Sequence, residues 1–257
     1  MRAHLYFIDC LTNLHVGNGD VNYNIIDNEV EKDSVLKDVP VIHASGVKGA
    51  LKEFLEGKWE ERDEKIVNIF GNKDKPGHYN FLSACLIVRP LRVSAGNRPY
   101  ILTTSVDVLE HLCKLFKGVG IEAFDFSGIK RFNDNLFHVS TDAVTSVEGV
   151  NAVRLPPNFQ SLNGFICDEY AVINTLRDYD LPALARNVLD EKGLSENVWY
   201  EEIVPHKSRF CFIILTPDND PDYEAFKDAI ENKGPIQFGG NASVGYGFTT
   251  VMEARHE

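Results

Sequence analysis

QFGGNASVGYGF, residues 237–248, places four glycines in twelve positions, and what such a stretch can hold decides the fold. From Gly240 the spacing GNASVG matches the GxxxxG of a mononucleotide phosphate loop. Tyr246 and Gly247, however, stand where that loop needs Lys and Ser or Thr. No ammonium can reach the phosphates there and no hydroxyl can hold magnesium. A dinucleotide GxGxxG fails too, because Thr250 occupies the last glycine's place. Two readings survive: a bulged strand or tight turn, or a backbone surface over which a polynucleotide passes.

Outward from this stretch, the pattern is one of strands and helices in alternation. Ile236 opens a final strand that the glycines interrupt and Phe248–Met252 resumes. Upstream, Asp222–Asn232 has helical periodicity, and Val198–Val204 and Arg209–Leu215 read as strands. At the other end, His4–Leu14 alternates as a strand and runs into the turn signal HVGNGD. Val39–Ile42 is a short extended piece leading into SGVKGALKEFLEG. There Val47, Ala50, Leu51, Phe54 and Leu55 fall at helical spacing, with Ser45 as the expected N-cap and Gly57 as the closing residue. A second helix is expected over Glu60–Phe70, strands over Asn80–Arg92 and Arg98–Thr104, and a helix over Val106–Lys117. Residues 137–197 mix Gly, Pro and short apolar pieces, with a helix expected at Pro182–Lys192; they read as an insertion or extended hairpin. The order predicts a single α+β domain over residues 1–257, of ferredoxin or RNA-recognition type with large insertions.

Composition narrows the function. The 257 residues carry a net charge of −12, which lowers the expectation of nonspecific nucleic-acid binding without excluding a specific phosphate track. Six acids against two lysines crowd residues 18–38, a long polar loop of the kind that often carries function. Five scattered cysteines with no CxxC pair argue against a disulfide framework and a structural zinc site. No run of apolar residues is long enough to span a membrane, and the N-terminus lacks a signal-peptide pattern, so a reducing cytoplasm is the expected location.

Several positions carry chemistry. Lys48 sits in the first turn of the helix after Ser45 and Gly46, where the dipole is positive, and Lys52 follows one turn later. A lysine there makes sense if an anion is shared by Ser45, Lys48 and the helix end; a solvated lysine is the plainer reading. His15 and Asp27 flank the acidic loop, each by itself more often structural than catalytic. In WYEEIVP, Trp199 and Glu201 share one strand face while Tyr200 and Glu202 share the other. Adjacent acids on opposite faces are not expected both to be core residues, so one should face a cleft, a partner or solvent.

The motifs LHVGNGD, IIDNEVEKD, VPVIHASGVKGALKEF, NIFG, PLRVSAGNRPYILTTS, VWYEEIVPHKSRF and IQFGGNASVGYGF, in this order, resemble the RAMP superfamily of CRISPR-associated proteins. They are most like the backbone subunit of the type III-B (Cmr) RNA-targeting effector. The resemblance covers nearly the whole chain and is weakest over residues 141–197. It implies a modified RNA-recognition palm with helical fingers and a β-hairpin thumb in residues 141–197. It also implies copies that self-associate along a guide RNA beside other Cmr-type subunits, and cleavage of the paired target RNA with a divalent metal ion, Mg or Mn. Guide phosphates would lie on Ser45, Gly46, Lys48 and Lys52 and on the loop of Gly239, Gly240, Asn241, Ser243, Gly245, Tyr246 and Gly247.

Asp27, in a catalytic loop over residues 16–38, matches the family's cleaving and metal-binding aspartate. His15, Glu201 and Tyr200 match positions near the cut. Asp20, Glu29, Glu31 and Asp33 are neighbouring acids that compete with Asp27 for that role. Relatives often read Gly-Gly-x-x-Thr-x-Gly-x-Gly with a basic residue between the last glycines, and arginine where this chain has Lys52. Here Ser243 and Tyr246 take the loop places, and an aromatic at 246 is suited to stacking on a base. Two other readings stay open: a non-cleaving backbone subunit, and a stand-alone guide-processing endoribonuclease using His15 or His43 as acid and base.

Overall fold

The computed structural model describes residues 1–17, 26–36, 39–59, 63–122, 124, 126–176 and 181–254. Strands β1 (Arg2–Cys10) and β2 (Val41–Ile42) precede helices α1 (Ala44–Glu56) and α2 (Glu64–Phe70). Strands β3 (Asn80–Phe81), β4 (Ala84–Gly96) and β5 (Tyr100–Ser105) lead into α3 (Val106–Val119). The middle holds β6 (Phe137–Val139), β7 (Val144–Val147), β8 (Val150–Arg154) and β9 (Tyr170–Ile173), then β10 (Ala183–Leu189) and β11 (Ser195–Glu202). Strand β12 (Arg209–Thr216), helix α4 (Tyr223–Asn232), β13 (Ile236–Gln237) and β14 (Phe248–Glu253) complete the chain.

The strands build a mixed α+β structure dominated by one sheet, in the order β13-β14-β1-β12-β4-β5-β9-β6-β8-β7, with β2 on β4 and β3 on β12. Strand β1 lies between β12 and β14, antiparallel to both, and is covered on both faces: Leu5, Tyr6, Phe7 and Ile8 are all buried. That explains its near-continuous apolar run. It ends at Cys10, short of the expected Leu14, because Leu11 turns out to solvent. The long β4 pairs with β12 through its first half and with β5 and β7 through its second. The strands β4-β5-β9-β6-β8-β7 thereby close a ring around a small separate core of Leu91, Val93, Ile101, Phe137 and Val147. All five cysteines are free.

Helix α1 buries Val47, Leu51 and Leu55, as its spacing requires. Its start differs from expectation. His43, not Ser45, is the N-cap residue, and the Ser83 hydroxyl accepts from the Ala44 amide at 3.1 Å. The expected helix at Pro182–Lys192 is instead strand β10, which pairs with β11 in a separate two-stranded hairpin. Strands β7, β8 and β9 pair within the main sheet, so the separate two-stranded hairpin spans residues 183–202.

One half-buried polar group ties β14 to α4 and β1. Glu253 accepts hydrogen bonds from His4 Nδ1 at 2.8 Å, from the Tyr223 hydroxyl at 2.7 Å, and from Lys227. Burial alone would raise its carboxyl, but these three donors more than offset that and lower it from 4.5 to about 2. A folded value below the unfolded one stabilises fully above the unfolded value and fades as pH falls through the folded one. The difference in thermal midpoint between wild type and Glu253→Gln is therefore expected to be constant above about pH 5 and to shrink between about pH 4.5 and 2.

Candidate nucleic-acid interface

Three segments far apart in sequence meet at one end of β11. The first is the glycine loop. The Phe238 amide donates to the Gly247 carbonyl at 2.9 Å, the Gly247 amide to Asn13 at 2.8 Å, and the Gly240 amide to the His15 carbonyl at 2.9 Å. Gly239, Gly245 and Gly247 have φ of 73°, 87° and 79°, the left-handed region that glycine adopts without strain. Asn241 joins them at φ 63° and heads the short turn Ala242–Val244, on which Ser243 is exposed. The loop is thus a tight turn clamped onto the residues after β1, with Gly239, Gly240 and Ser243 presented to solvent.

The second segment is His15, which is buried. Its Nδ1 lies 2.7 Å from the Glu202 carbonyl oxygen, which can only accept, so Nδ1 carries the hydrogen and Nε2 is left to face Glu201 Oε1 at 3.9 Å. The third is Asp27. Its carboxylate accepts from the Tyr200 amide at 2.7 Å, and its own amide donates to the Tyr200 carbonyl at 3.1 Å. Asn28 continues the contact as a parallel bridge to Glu201. The Asp27 carboxylate is therefore docked on the backbone edge of β11, beside the exposed side chain of Tyr200.

Glu201 and Glu202 overturn the expectation that one of them would face outward. Both are 3 % exposed. Glu201 accepts from Arg186 Nη1 at 2.9 Å and from Asn241 Nδ2 at 2.6 Å. Glu202 accepts from the Val30 amide at 3.0 Å and pairs with Lys32 at 3.1 Å. Each buried charge has a cation and a second donor, the condition under which burying a carboxylate is tolerable.

The neighbouring acids separate on the same grounds. Glu31 pairs with His43 at 3.2 Å, and Asp33 accepts from the Val35 and Leu36 amides at 2.8 Å. Asp20 lies outside the described residues.

A family model for the RAMP superfamily matches residues 7–250. The chain belongs to the RAMP superfamily. The CRISPR system Cmr endoribonuclease Cmr4 of Pyrococcus furiosus is 25% identical over 288 residues, covering 98% of this chain and 95% of that protein. A crystal structure of oligomeric Cmr4 from the same organism superposes with a TM-score of 0.73 at 21% identity, covering 99% and 98% of the two chains. The CRISPR system CMR subunit Cmr4 of Saccharolobus solfataricus is 25% identical over 155 residues, which span 58% of this chain but only 50% of that protein. A chain in a type III-B Cmr-beta complex bound to cognate target RNA has a TM-score of 0.79 at 21% identity, covering 99% and 98% of the two chains. The structural likenesses establish a shared RAMP fold.

Within this RAMP chain the start of α1 forms the remaining candidate surface. No acid stands in its first turn, Ser45 and Gly46 are exposed, and no hydrogen bond among the described residues takes their amides. Lys48 is half-buried and makes no ion pair among the described residues, whereas Lys52 pairs with Glu56 at 3.7 Å. Helix α1 packs against β13, the strand that leads into the glycine loop. Unpaired amides, a positive dipole end and a lysine together suit a phosphate.

Tyr246 is half-buried. Its ring lies 5.6 Å from the Arg186 guanidinium, which is also 5.7 Å from the Trp199 ring. Arg186 and Asn13 are the site residues the sequence did not reveal. Arg186 sits in a segment rich in helix formers, and Asn13 holds Gly247 through its carbonyl and the His206 amide through its side chain at 3.0 Å.

As for a metal ion, no three His, Cys, Asp or Glu side chains converge among the described residues. The donor set fits the looser mode in which one carboxylate and substrate phosphate oxygens hold a hydrated magnesium-like ion. Asp27 is the residue that would hold it.

Proposed function

We propose that this chain is the backbone subunit of a type III-B CRISPR effector complex, which binds guide RNA and cuts the target RNA paired with it in a metal-dependent way. The observation that carries the reading is the docking of the Asp27 carboxylate on β11 at the exposed Tyr200, whose neighbour Glu201 accepts from Asn241 of the glycine loop. Membership in the RAMP superfamily and near full-length similarity to a protein named a Cmr endoribonuclease support it.

In this reading the main sheet is the palm of a modified RNA-recognition fold, the helices beside it are fingers, and the β10–β11 hairpin is the thumb. Guide phosphates lie on the Ser45, Gly46 and Lys48 amides and ammonium and on the exposed backbone of Gly239 and Gly240. RNA itself supplies the nucleophile, its 2′-hydroxyl, once the sugar is held in line with the leaving oxygen. A divalent ion held by Asp27 would supply charge neutralisation at the phosphate and a base at neutral pH. His15, with Nδ1 fixed on Glu202, keeps β11 and the glycine loop in register around that position. A guide-processing role for His15 is disfavoured by its burial.

The test is reconstitution. The chain, expressed with its companion subunits, is expected to copurify with guide RNA as an oligomer and to cut a labelled complementary target only when a divalent ion is present. Cleavage of free repeat RNA by the isolated chain would favour the processing enzyme, and assembly without any cutting would favour a purely structural subunit.

A further inference from the structure

The β10–β11 hairpin stands almost alone. Leu184, Val188, Leu189, Val198 and Tyr200 are exposed along it, and its strands pair only with each other apart from the bridge at Glu201. A two-stranded hairpin is marginal by itself in water, so its tilt must be set at its base. In the register of the hairpin Arg186 faces Trp199 and Leu184 faces Glu201, which puts these four side chains on one face. That face meets the glycine loop. The guanidinium of Arg186 lies over the rings of both Trp199 and Tyr246, at 5.7 and 5.6 Å, and its Nη1 reaches Glu201 Oε2, while Asn241 of the loop takes Glu201 Oε1. The Asp27 carboxylate rides on the opposite edge of the same strand, through the amide of Tyr200.

We propose that Arg186 is a positioning residue: it latches the hairpin to the glycine loop through Glu201, Trp199 and Tyr246, and so fixes where Asp27 sits along the target strand. Tyr246 is on this account a wall of the latch, which explains why an aromatic ring is useful there. Arginine suits the place because its flat fork can contact aromatic rings and bond a carboxylate at once, whereas an ammonium is a point charge. The inference rests on the proposed function for its catalytic arm and on the geometry alone for its structural one.

Two measurements separate them. In the isolated chain, Arg186→Ala is expected to speed amide hydrogen exchange about tenfold or more in residues 183–202 and 239–247 together, leaving the main sheet unchanged. In the reconstituted complex the same variant should lower the target cleavage rate about 10–100-fold and spread the cut over neighbouring positions, with guide affinity within about twofold, since a shift near 1 Å at a reacting centre is worth about 10²-fold. Tyr246→Ala should produce the same two effects, and the double variant should be little worse than either single one. Arg186→Lys keeps the charge beside Glu201 and guards against an unfolded alanine variant; about a tenfold loss of rate is expected for it. Wild-type exchange in Arg186→Ala, or a wild-type rate and cut position in both Arg186 variants while wild-type complex cuts normally, would overturn the latch. A wild-type complex that never cuts, combined with coupled exchange of the two segments, would leave the latch standing and defeat the cleavage reading.

Discussion

Asp27→Ala is expected to lower target-RNA cleavage by about 10²–10⁴-fold, the range over which a positioned charged or proton-transferring group contributes to a reaction. Guide binding and assembly should persist, because the carboxylate is only partly buried and its loss removes a single hydrogen bond, to the Tyr200 amide. A hydrogen bond to a carboxylate is worth about 1.5–3 kcal/mol, less than the stability of about 5–15 kcal/mol typical of a folded domain. Asp27→Asn separates chemistry from structure. Its side-chain oxygen can still accept from Tyr200, so a purely structural role predicts near-normal cutting, whereas a role in charge or metal binding predicts a loss close to that of alanine. Single-turnover cleavage of a labelled target measures both. Equal rates for wild type, Asp27→Asn and Asp27→Ala would move attention to Glu29, since Glu31 and Asp33 are already engaged by His43 and by the backbone of Val35 and Leu36.

How far the sequence carried this picture depended on whether an element's shape is set by its own residues. The spacing of Val47, Leu51 and Leu55 dictates α1, and that of Val108, Leu109, Leu112 and Phe116 dictates α3, because a helix closes its own hydrogen bonds and needs only one apolar stripe. The apolar run of β1 likewise announces a central strand. The segment Ala183–Leu189 is the opposite case. Alanine, leucine and arginine are good helix formers, and only pairing with β11, six to nineteen positions away in the register, makes it a strand. With that strand misread, Arg186 could not be set opposite Trp199, and the partner of Glu201 stayed hidden.

The same limit applied to Glu202, whose cation, Lys32, is 170 residues away. Adjacent acids looked incompatible with a core because their compensating charges arrive from other segments on opposite faces of the strand. Ser45 failed as a cap for a smaller reason: Ser83, on the connection between β3 and β4, supplies the hydroxyl to the first helical amide instead.

The glycines of residues 237–248 do not all serve one purpose, and alanine substitutions should sort them. A Cβ at Gly247 would stand 2.0 Å from the Phe238 carbonyl oxygen, and one at Gly239 would stand 2.3 Å from that of His15. Both obstacles are backbone, and both positions have positive φ. Backbone strain of about 1–3 kcal/mol adds to an overpacking cost of about 1–3 kcal/mol, so Gly247→Ala and Gly239→Ala should each destabilise by about 2–6 kcal/mol. For a chain of this length that is a fall in thermal midpoint of about 5–20 °C.

Gly245 has φ of 87° but open space around its Cβ position, and Gly240 has open space and no such φ. Their alanine variants should cost about 1–2 kcal/mol and about 0.5 kcal/mol or less. Stability alone therefore requires only three of the four. At Gly240 the lack of a side chain leaves the backbone open to close approach, and a guide phosphate is the group that would approach it if the proposed function holds. Gly240→Ala should consequently weaken guide binding by about tenfold, or 1.4 kcal/mol, while leaving the thermal midpoint where it was. Unchanged guide affinity in that variant would reduce the loop to a turn whose glycines answer only to His15, Phe238 and Asn13.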